Sequence, residues 1–441
     1  MEAQFPGPKS KAMLDELGGY VVATPEPFVV DLEKSEGMWL ATVDGQRIFD
    51  WCGYYGSKLV GHNHPRLYEP EYLKRLSRAA NNKVANPDFL TPECLRYYRR
   101  LHAMAPASMR GDNLEVYAVN SGAEAVENMM KYLVARYNTT KMRQGRFPSS
   151  RRFIYFDNAF HGRTVFSLSV TQTLNPVATK DFHGLVQSGN IKLPWPEYDS
   201  DKSPEQNRRR TEGTLEMVRS ALEQMRDDVV AVLAEPIQGA GGQRMAEPEF
   251  FQGLSELCHE HQVYLAFDEV QTGLGVTGKM WAIDHFDLPH PPEAVATGKK
   301  FGNGVVYMCE PLEDIGVLDS TWGGTLADMV RFEQEMQIVE EEKLVEAAAE
   351  KGEHLAKGLR ALREKHPELV LNVRGMGLYQ GFSLPTADMQ SQLVEMALQE
   401  HSLLLLGAGD RSIRFRPNLS VAVEDVDEML RVLDGALSQL E

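Results

Sequence analysis

Cysteine is scarce and scattered in this chain of 441 residues. The four thiols, Cys52, Cys94, Cys258 and Cys309, make no C-x-x-C pair and no metal-ligand spacing. That excludes a disulfide framework and argues against a structural zinc, so a reducing, cytoplasmic setting is expected. Long apolar runs are missing as well. Nowhere do about 18 apolar residues follow one another, so no transmembrane helix is expected. The stretch Met1–Gly19 mixes Lys, Glu, Asp and Pro without an apolar run, so it is not read as a signal peptide. Basic residues are in deficit, 46 against 63 acidic, for a formal net charge of -17. Such a balance argues against a nucleic-acid partner held through its phosphate backbone, while leaving room for a local basic pocket. No internal repeat is visible at periods of 20–50 residues.

What is present suits a large globular core. The chain is 43% hydrophobic and long enough for two or three domains. Its middle alternates short β-rich runs with helical patterns. Leu114–Val119, Phe153–Phe156, Val229–Leu233, Tyr264–Phe267 and Ala294–Thr297 are strand candidates. After the first, Val126, Met129, Met130, Leu133 and Val134 fall on one helical stripe, and Phe250–His261 is also helix-like. This alternation predicts an α/β fold with a mostly parallel sheet flanked by helices. Lys141–Arg151 and Glu197–Arg210 read as loops, and Arg208–Arg210 as a solvated basic cluster before an anion patch. From Leu326 to about His366 the pattern turns helical. Strands at Leu403–Leu406 and Ser412–Phe415 and a helix at Val423–Leu440 close a small α+β domain, completed by the segment around Phe28–Trp51. The expected division is 1–65 and 318–441 for the small domain and 66–317 for the large one.

Ligands of an open parallel sheet sit at the carboxyl ends of its strands, and the polar residues there are informative. Ser121, Gly122 and Ala123 open the first helix; they serve equally as ordinary caps or as a cup for a phosphate. Phe160 and His161 follow the second run and are either core residues or a flat face for an aromatic ring, with Arg163 as a carboxylate clamp. The third run leads into a glycine-rich loop, Glu235–Gly242. The fourth ends in Asp268 and Glu269, two carboxylates that need a positive partner. The fifth ends in Lys299 and Lys300, and a lysine at a buried strand end suits imine formation. Asp268 and Lys299 stand 31 residues apart, about one strand–helix–strand unit. A Schiff-base lysine, a carboxylate for a pyridinium nitrogen, a stacking face and a phosphate cup together make a pyridoxal 5′-phosphate (PLP) site.

The stretches VNSGAEAVENMMKY, FDNAFHGRT, AEPIQGAGG, FDEVQTGLGVTGKMWA, GKK, DSTWGGTLADMVR and IRFRPNLSV resemble the class III (ω-) aminotransferases of PLP fold type I over nearly the whole chain. The resemblance is nearest to bacterial L-lysine 6-aminotransferases. It implies Lys299 as the Schiff-base lysine, with Lys300 the alternative, and Asp268 as the pyridinium partner. It also implies Gln271 near the ring hydroxyl, Phe160 as the stacking aromatic, and Ser121, Gly122 and Ala123 as the phosphate cup. Thr321 would join that cup from a partner subunit, making a homodimer with shared active sites. Arg163 resembles the arginine that holds the α-carboxylate of lysine, and Arg414 the one that receives 2-oxoglutarate.

Two positions depart from the lysine-enzyme pattern. Ala240 stands where those enzymes carry a glutamate thought to pair with the arginine equivalent to Arg414. Asp319 stands where they typically carry asparagine. The expected reaction moves the terminal amino group of L-lysine or a related amine to 2-oxoglutarate, giving an aldehyde and glutamate. The substituted Ala240 keeps 4-aminobutyrate, ornithine and diamines open as donors. A PLP-dependent decarboxylase or aminomutase of the same fold, and an inactive PLP-fold binding protein, are the remaining alternatives.

Overall fold

The computed structural model describes residues 5–172 and 189–440, and three sheets organise them. Near the N-terminus β1 (Val30–Glu36), β2 (Trp39–Thr42) and β3 (Arg47–Asp50) form an antiparallel meander. Its inner face buries Leu40 and Ile48 beneath a small apolar cluster with Phe5 and Phe28.

The central sheet contains β4 (Glu115–Val119), β5 (Arg152–Phe156), β6 (Ile191–Leu193), β7 (Val229–Ala234), β8 (Tyr264–Asp268), β9 (Ala294–Thr297) and β10 (Gly304–Met308), in the order β4-β10-β9-β8-β7-β5-β6. All five expected strands are among them. All six residues of β7 are buried, as a strand covered on both faces requires. The strand β10 was not anticipated. It runs antiparallel to both β9 and β4, because only the short segment 298–303 separates it from β9, too little chain for a parallel crossover. The helix Gly122–Arg143 follows β4 and buries Val126, Met129, Met130 and Leu133 against the sheet, the stripe expected from their spacing. Pro248–His261 is likewise helical.

Three of the expected connections need correction. The chain between β8 and β9 contains no α-helix; its one helical piece is a short 3₁₀ turn at Ala282–His285. Gly275 and Gly278 there have φ near +87°, and a Cβ at Gly278 would lie 2.9 Å from the Ala349 Cβ. The segment is therefore a glycine-shaped loop laid against the helix Leu344–Lys365. Second, Pro204 starts a helix, Pro204–Met225, instead of breaking a loop; proline lacks only an N–H that the first helical turn leaves unpaired anyway. Arg208 and Arg209 lie on its exposed face, paired with Glu205. Third, Lys141–Arg143 belong to the preceding helix, and Lys141 is buried with Asp227 at 3.4 Å.

The C-terminal region adds β11 (Leu371–Met376), β12 (Tyr379–Ser383), β13 (Leu403–Leu404), β14 (Leu406–Ala408) and β15 (Ser412–Phe415). The single strand expected at Leu403–Leu406 is split. Its first half pairs in parallel with β3, and its second joins the antiparallel sheet β11-β12-β15-β14. That split ties the N-terminal meander to the C-terminal sheet. The helices Leu326–Glu341, Leu344–Lys365 and Val423–Leu440 occupy the expected stretches.

Candidate active site

The ends of β8 and β9, adjacent and parallel, bring Asp268 and Lys299 into one cavity despite the missing crossover helix. Phe160, Val270 and Gln271 line it with them, and Gly122 and Ala123 close one side. The helix Gly122–Arg143 begins at Ser121, whose hydroxyl accepts from the Glu124 N–H at 3.2 Å. The first helical N–H groups have no intrahelical acceptor, so those of Gly122 and Ala123 suit an anion. Two glycines make the space. A Cβ on Gly122 would lie 2.8 Å from Val270 Cγ1, and one on Gly298 would lie 3.0 Å from the Gly122 Cα.

Asp268 is buried at the floor. Its Oδ1 accepts from the Val270 N–H at 2.9 Å, and its Oδ2 lies 2.8 Å from His161 Nδ1. Burial works against a charged His161, but the hydrogen bond and negative charge of Asp268, with Glu235 behind, outweigh it and raise the histidine pKa. The other ring nitrogen, Nε2, is buried without a partner. Glu235, at the end of β7, accepts the Phe160 N–H at 2.9 Å and fixes the start of the aromatic segment; burial raises its pKa. Glu269 turns the opposite way. It accepts from the Thr272 hydroxyl and from the Ile283 N–H at 2.8 Å, so its fully buried carboxyl is satisfied within the β8–β9 loop and takes no part in the cavity.

The two lysines separate cleanly. Lys299 has φ of +51° and donates to the Tyr55 carbonyl at 3.2 Å. Burial, then the charges of Arg416, Arg414 and Lys300, hold its ammonium well below the usual lysine range, against a smaller opposing pull from Asp268. A neutral amine is the nucleophile that imine formation needs. Lys300 instead donates to the Gln271 and Gly273 carbonyls at 2.8 and 3.2 Å and is absent from the cavity lining.

Gln271 Oε1 accepts from Tyr379 at 3.0 Å and from Arg416 at 2.7 Å. Arg414 is buried beside them. Arg163 is exposed, its guanidinium 6.0 Å from the Phe160 ring centre. Ala240 contributes its carbonyl to the Gly409 N–H at 3.0 Å. Asp319 and Thr321 are exposed and outside this cavity, in a segment pinned where the Asn86 side chain donates to the Trp322 and Gly324 carbonyls. Reading the sequence missed Tyr379 and Arg416. The second had a signal: it stands two residues after Arg414, the spacing that places side chains on one face of an extended chain.

The cradle fits a flat, phosphorylated pyridine. It offers a buried carboxylate with an orienting histidine, apolar faces at Phe160 and Val270, glycines that any Cβ would fill, free helix N–H groups, and an amine of depressed basicity. The comparisons with known proteins agree. Residues 20–437 match the family described as aminotransferase class-III. The L-lysine-epsilon aminotransferase of Amycolatopsis lactamdurans is 32% identical over 98% of this chain and 97% of its own length. That of Mycobacterium tuberculosis is 33% identical over 96% and 94%. The solved structure of the lysine aminotransferase from M. tuberculosis superposes with a TM-score of 0.92, at 31% identity, over 98% of this chain and all of that one. The chain belongs to the class III aminotransferases, the PLP-dependent transaminases of fold type I.

Proposed function

We propose that this aminotransferase moves the terminal amino group of L-lysine, or of a closely related ω-amine that also carries a carboxylate, to 2-oxoglutarate. The observation that carries the reading is Arg163. It is an exposed guanidinium beside Phe160, with no ion pair among the described residues, placed to hold a carboxylate remote from the reacting amine. PLP, when bound, supplies the carbonyl that takes up the amine and the electron sink that weakens the neighbouring C–H bond.

The protein's residues do the rest. Lys299 would hold the cofactor covalently and, with its amine free, would serve as the general base and acid at the substrate carbon. Asp268, held by His161 and the Val270 N–H, would keep the pyridine nitrogen protonated. Ser121, Gly122 and Ala123 would hold the phosphate, and Gln271 would meet the ring hydroxyl. Arg414 receives the carboxylate of the keto acid. The products are an aldehyde and glutamate.

Homodimerisation belongs to the same proposal. Thr321 is exposed and lies outside its own cavity, which supports its joining the phosphate cup of a partner subunit. The cellular setting is read as cytoplasmic, since all four cysteines are free thiols and no described helix is long and apolar enough to cross a membrane.

A second reading, 4-aminobutyrate, ornithine or a diamine as donor, is favoured by Ala240, which leaves Arg414 without the acidic side chain its position would otherwise offer. A donor panel with 2-oxoglutarate, following glutamate formation, decides between them. L-lysine is expected to lead, and Arg163→Ala to raise its KM by roughly 10- to 100-fold, the worth of one charge-assisted hydrogen bond. A diamine that outruns lysine would establish the second reading. An unchanged lysine KM in the variant would remove Arg163 from the donor site.

A further inference from the structure

Arg414 and Arg416 are two residues apart at the end of β15, and both are buried. Arg416 Nη1 donates to Gln271 Oε1 at 2.7 Å, while its Nε and Nη2 have no partner. Arg414 likewise leaves Nε and Nη1 unpaired. Burial and the charge of Arg416 lower the pKa of Arg414 to about 9. No described carboxylate forms an ion pair with either guanidinium. The Tyr379 hydroxyl donates to the same Gln271 oxygen at 3.0 Å, and a Cβ on Gly239 would lie 2.2 Å from that hydroxyl, so the neighbouring loop leaves no room for a compensating side chain at Gly239. Ala240, next along that loop, is too short to reach. Two buried like charges with four unsatisfied nitrogens are costly in an isolated protein. They are explained when an anion is part of the working site, and Arg416 adjoins that site through its hydrogen bond to Gln271, which lines the cavity with Lys299.

We propose that Arg416 is a second substrate-binding arginine, and that it forms with Arg414 a two-guanidinium subsite for a carboxylate of the acceptor. This rests on the acceptor half of the function proposed above, not on the identity of the donor. One consequence follows from the lack of a competing protein carboxylate. The subsite accepts carboxylates at every stage of the cycle, so a dicarboxylate without a keto group inhibits against donor and acceptor alike.

The test titrates the holoenzyme with glutarate, an unreactive dicarboxylate, by calorimetry in chloride-free buffer. Wild type, Arg416→Gln and Arg416→Lys are compared, alongside steady-state kinetics with 2-oxoglutarate. Arg416→Gln is expected to weaken glutarate binding by roughly 10- to 100-fold and to raise the 2-oxoglutarate KM in step, with kcat changed far less. Arg416→Lys restores part of the affinity, because it keeps the charge but loses the planar fork; it also carries the test if the glutamine variant does not fold. Glutarate binding unchanged in both variants overturns the proposal. So does a fall in kcat at constant KM, which would leave Arg416 as a support for Gln271 alone. Glutarate requires no amino donor, so an error in the donor assignment leaves the measurement intact.

Discussion

Replacing the two adjacent lysines separately gives opposite results. The Lys300 ammonium is 4% exposed and donates to two carbonyls, at 2.8 and 3.2 Å. Lys300→Met strands both acceptors. At roughly 1–3 kcal/mol for each buried group left unpaired, partly offset by no longer burying an amine, the expected loss is about 2 kcal/mol of stability. That loss depends on pH. Burial, aided by Arg416, lowers the Lys300 pKa to about 7, against a smaller opposing effect of Glu269. Its stabilisation is therefore fully present above the unfolded value of 10.5 and is lost as pH falls through about 7. The gap between wild type and Lys300→Met should narrow from pH 9 to pH 6 in urea titrations. Lys299→Ala removes one 3.2 Å hydrogen bond to the Tyr55 carbonyl, at about 1 kcal/mol or less, but takes away the covalent anchor. Borohydride reduction of the holoenzyme followed by peptide mapping reads the anchor directly. Label on Lys299 is expected in wild type and in Lys300→Met, and none in Lys299→Ala. Label on Lys300 in any of the three would refute the assignment.

Gly122→Ala places a methyl group 2.8 Å from Val270 Cγ1, and Val270 must move into the cavity it lines. Overpacking of this kind costs roughly 1–3 kcal/mol, so PLP affinity should fall by roughly 5- to 150-fold in cofactor titrations of the apoenzyme; unchanged affinity would show that Val270 has room elsewhere. Glu269 is buried, and burial raises its pKa from 4.5 to about 7. Its contribution to stability is therefore fully present below pH 4.5 and is lost as pH rises through 7, a difference of order 3 kcal/mol. Glu269→Gln should gain on wild type between pH 5 and pH 8 by a large part of that amount in urea titrations, and parallel pH profiles would show that the carboxyl ionises normally.

The cavity was legible in the sequence because each part of it is local. Strand ends are marked by an abrupt change from apolar to polar residues, and the chemistry sits within a few positions of each change: Ser121 after β4, Phe160 after β5, Asp268 and Lys299 at the ends of β8 and β9. What lay across the chain was not legible. Nothing near Asp268 announces that His161, 107 residues earlier, meets its carboxylate, nor that Tyr379 and Arg416 both converge on Gln271. The β8–β9 connection departs from expectation for a related reason. Its length suits a helix, but at Gly275 and Gly278 positive φ decides the path.

Lys299 and Lys300 show the limit of local reading most sharply. Two identical side chains at one strand end have the same composition, propensity and hydropathy. Their separation depends on backbone dihedrals: Lys299, at φ of +51°, turns its amine toward Tyr55 and the cavity, whereas Lys300 continues to the carbonyls behind β8. A left-handed residue other than glycine is strained by roughly 1 kcal/mol or more, and the sheet holds it there between Gly298, which has no room for a Cβ beside Gly122, and Gly302, whose φ is +75°. The glycines on either side of the lysine pair are thus what distinguishes one amine from the other, and a substitution at Gly298 should disturb the cofactor site without touching a single group that does chemistry.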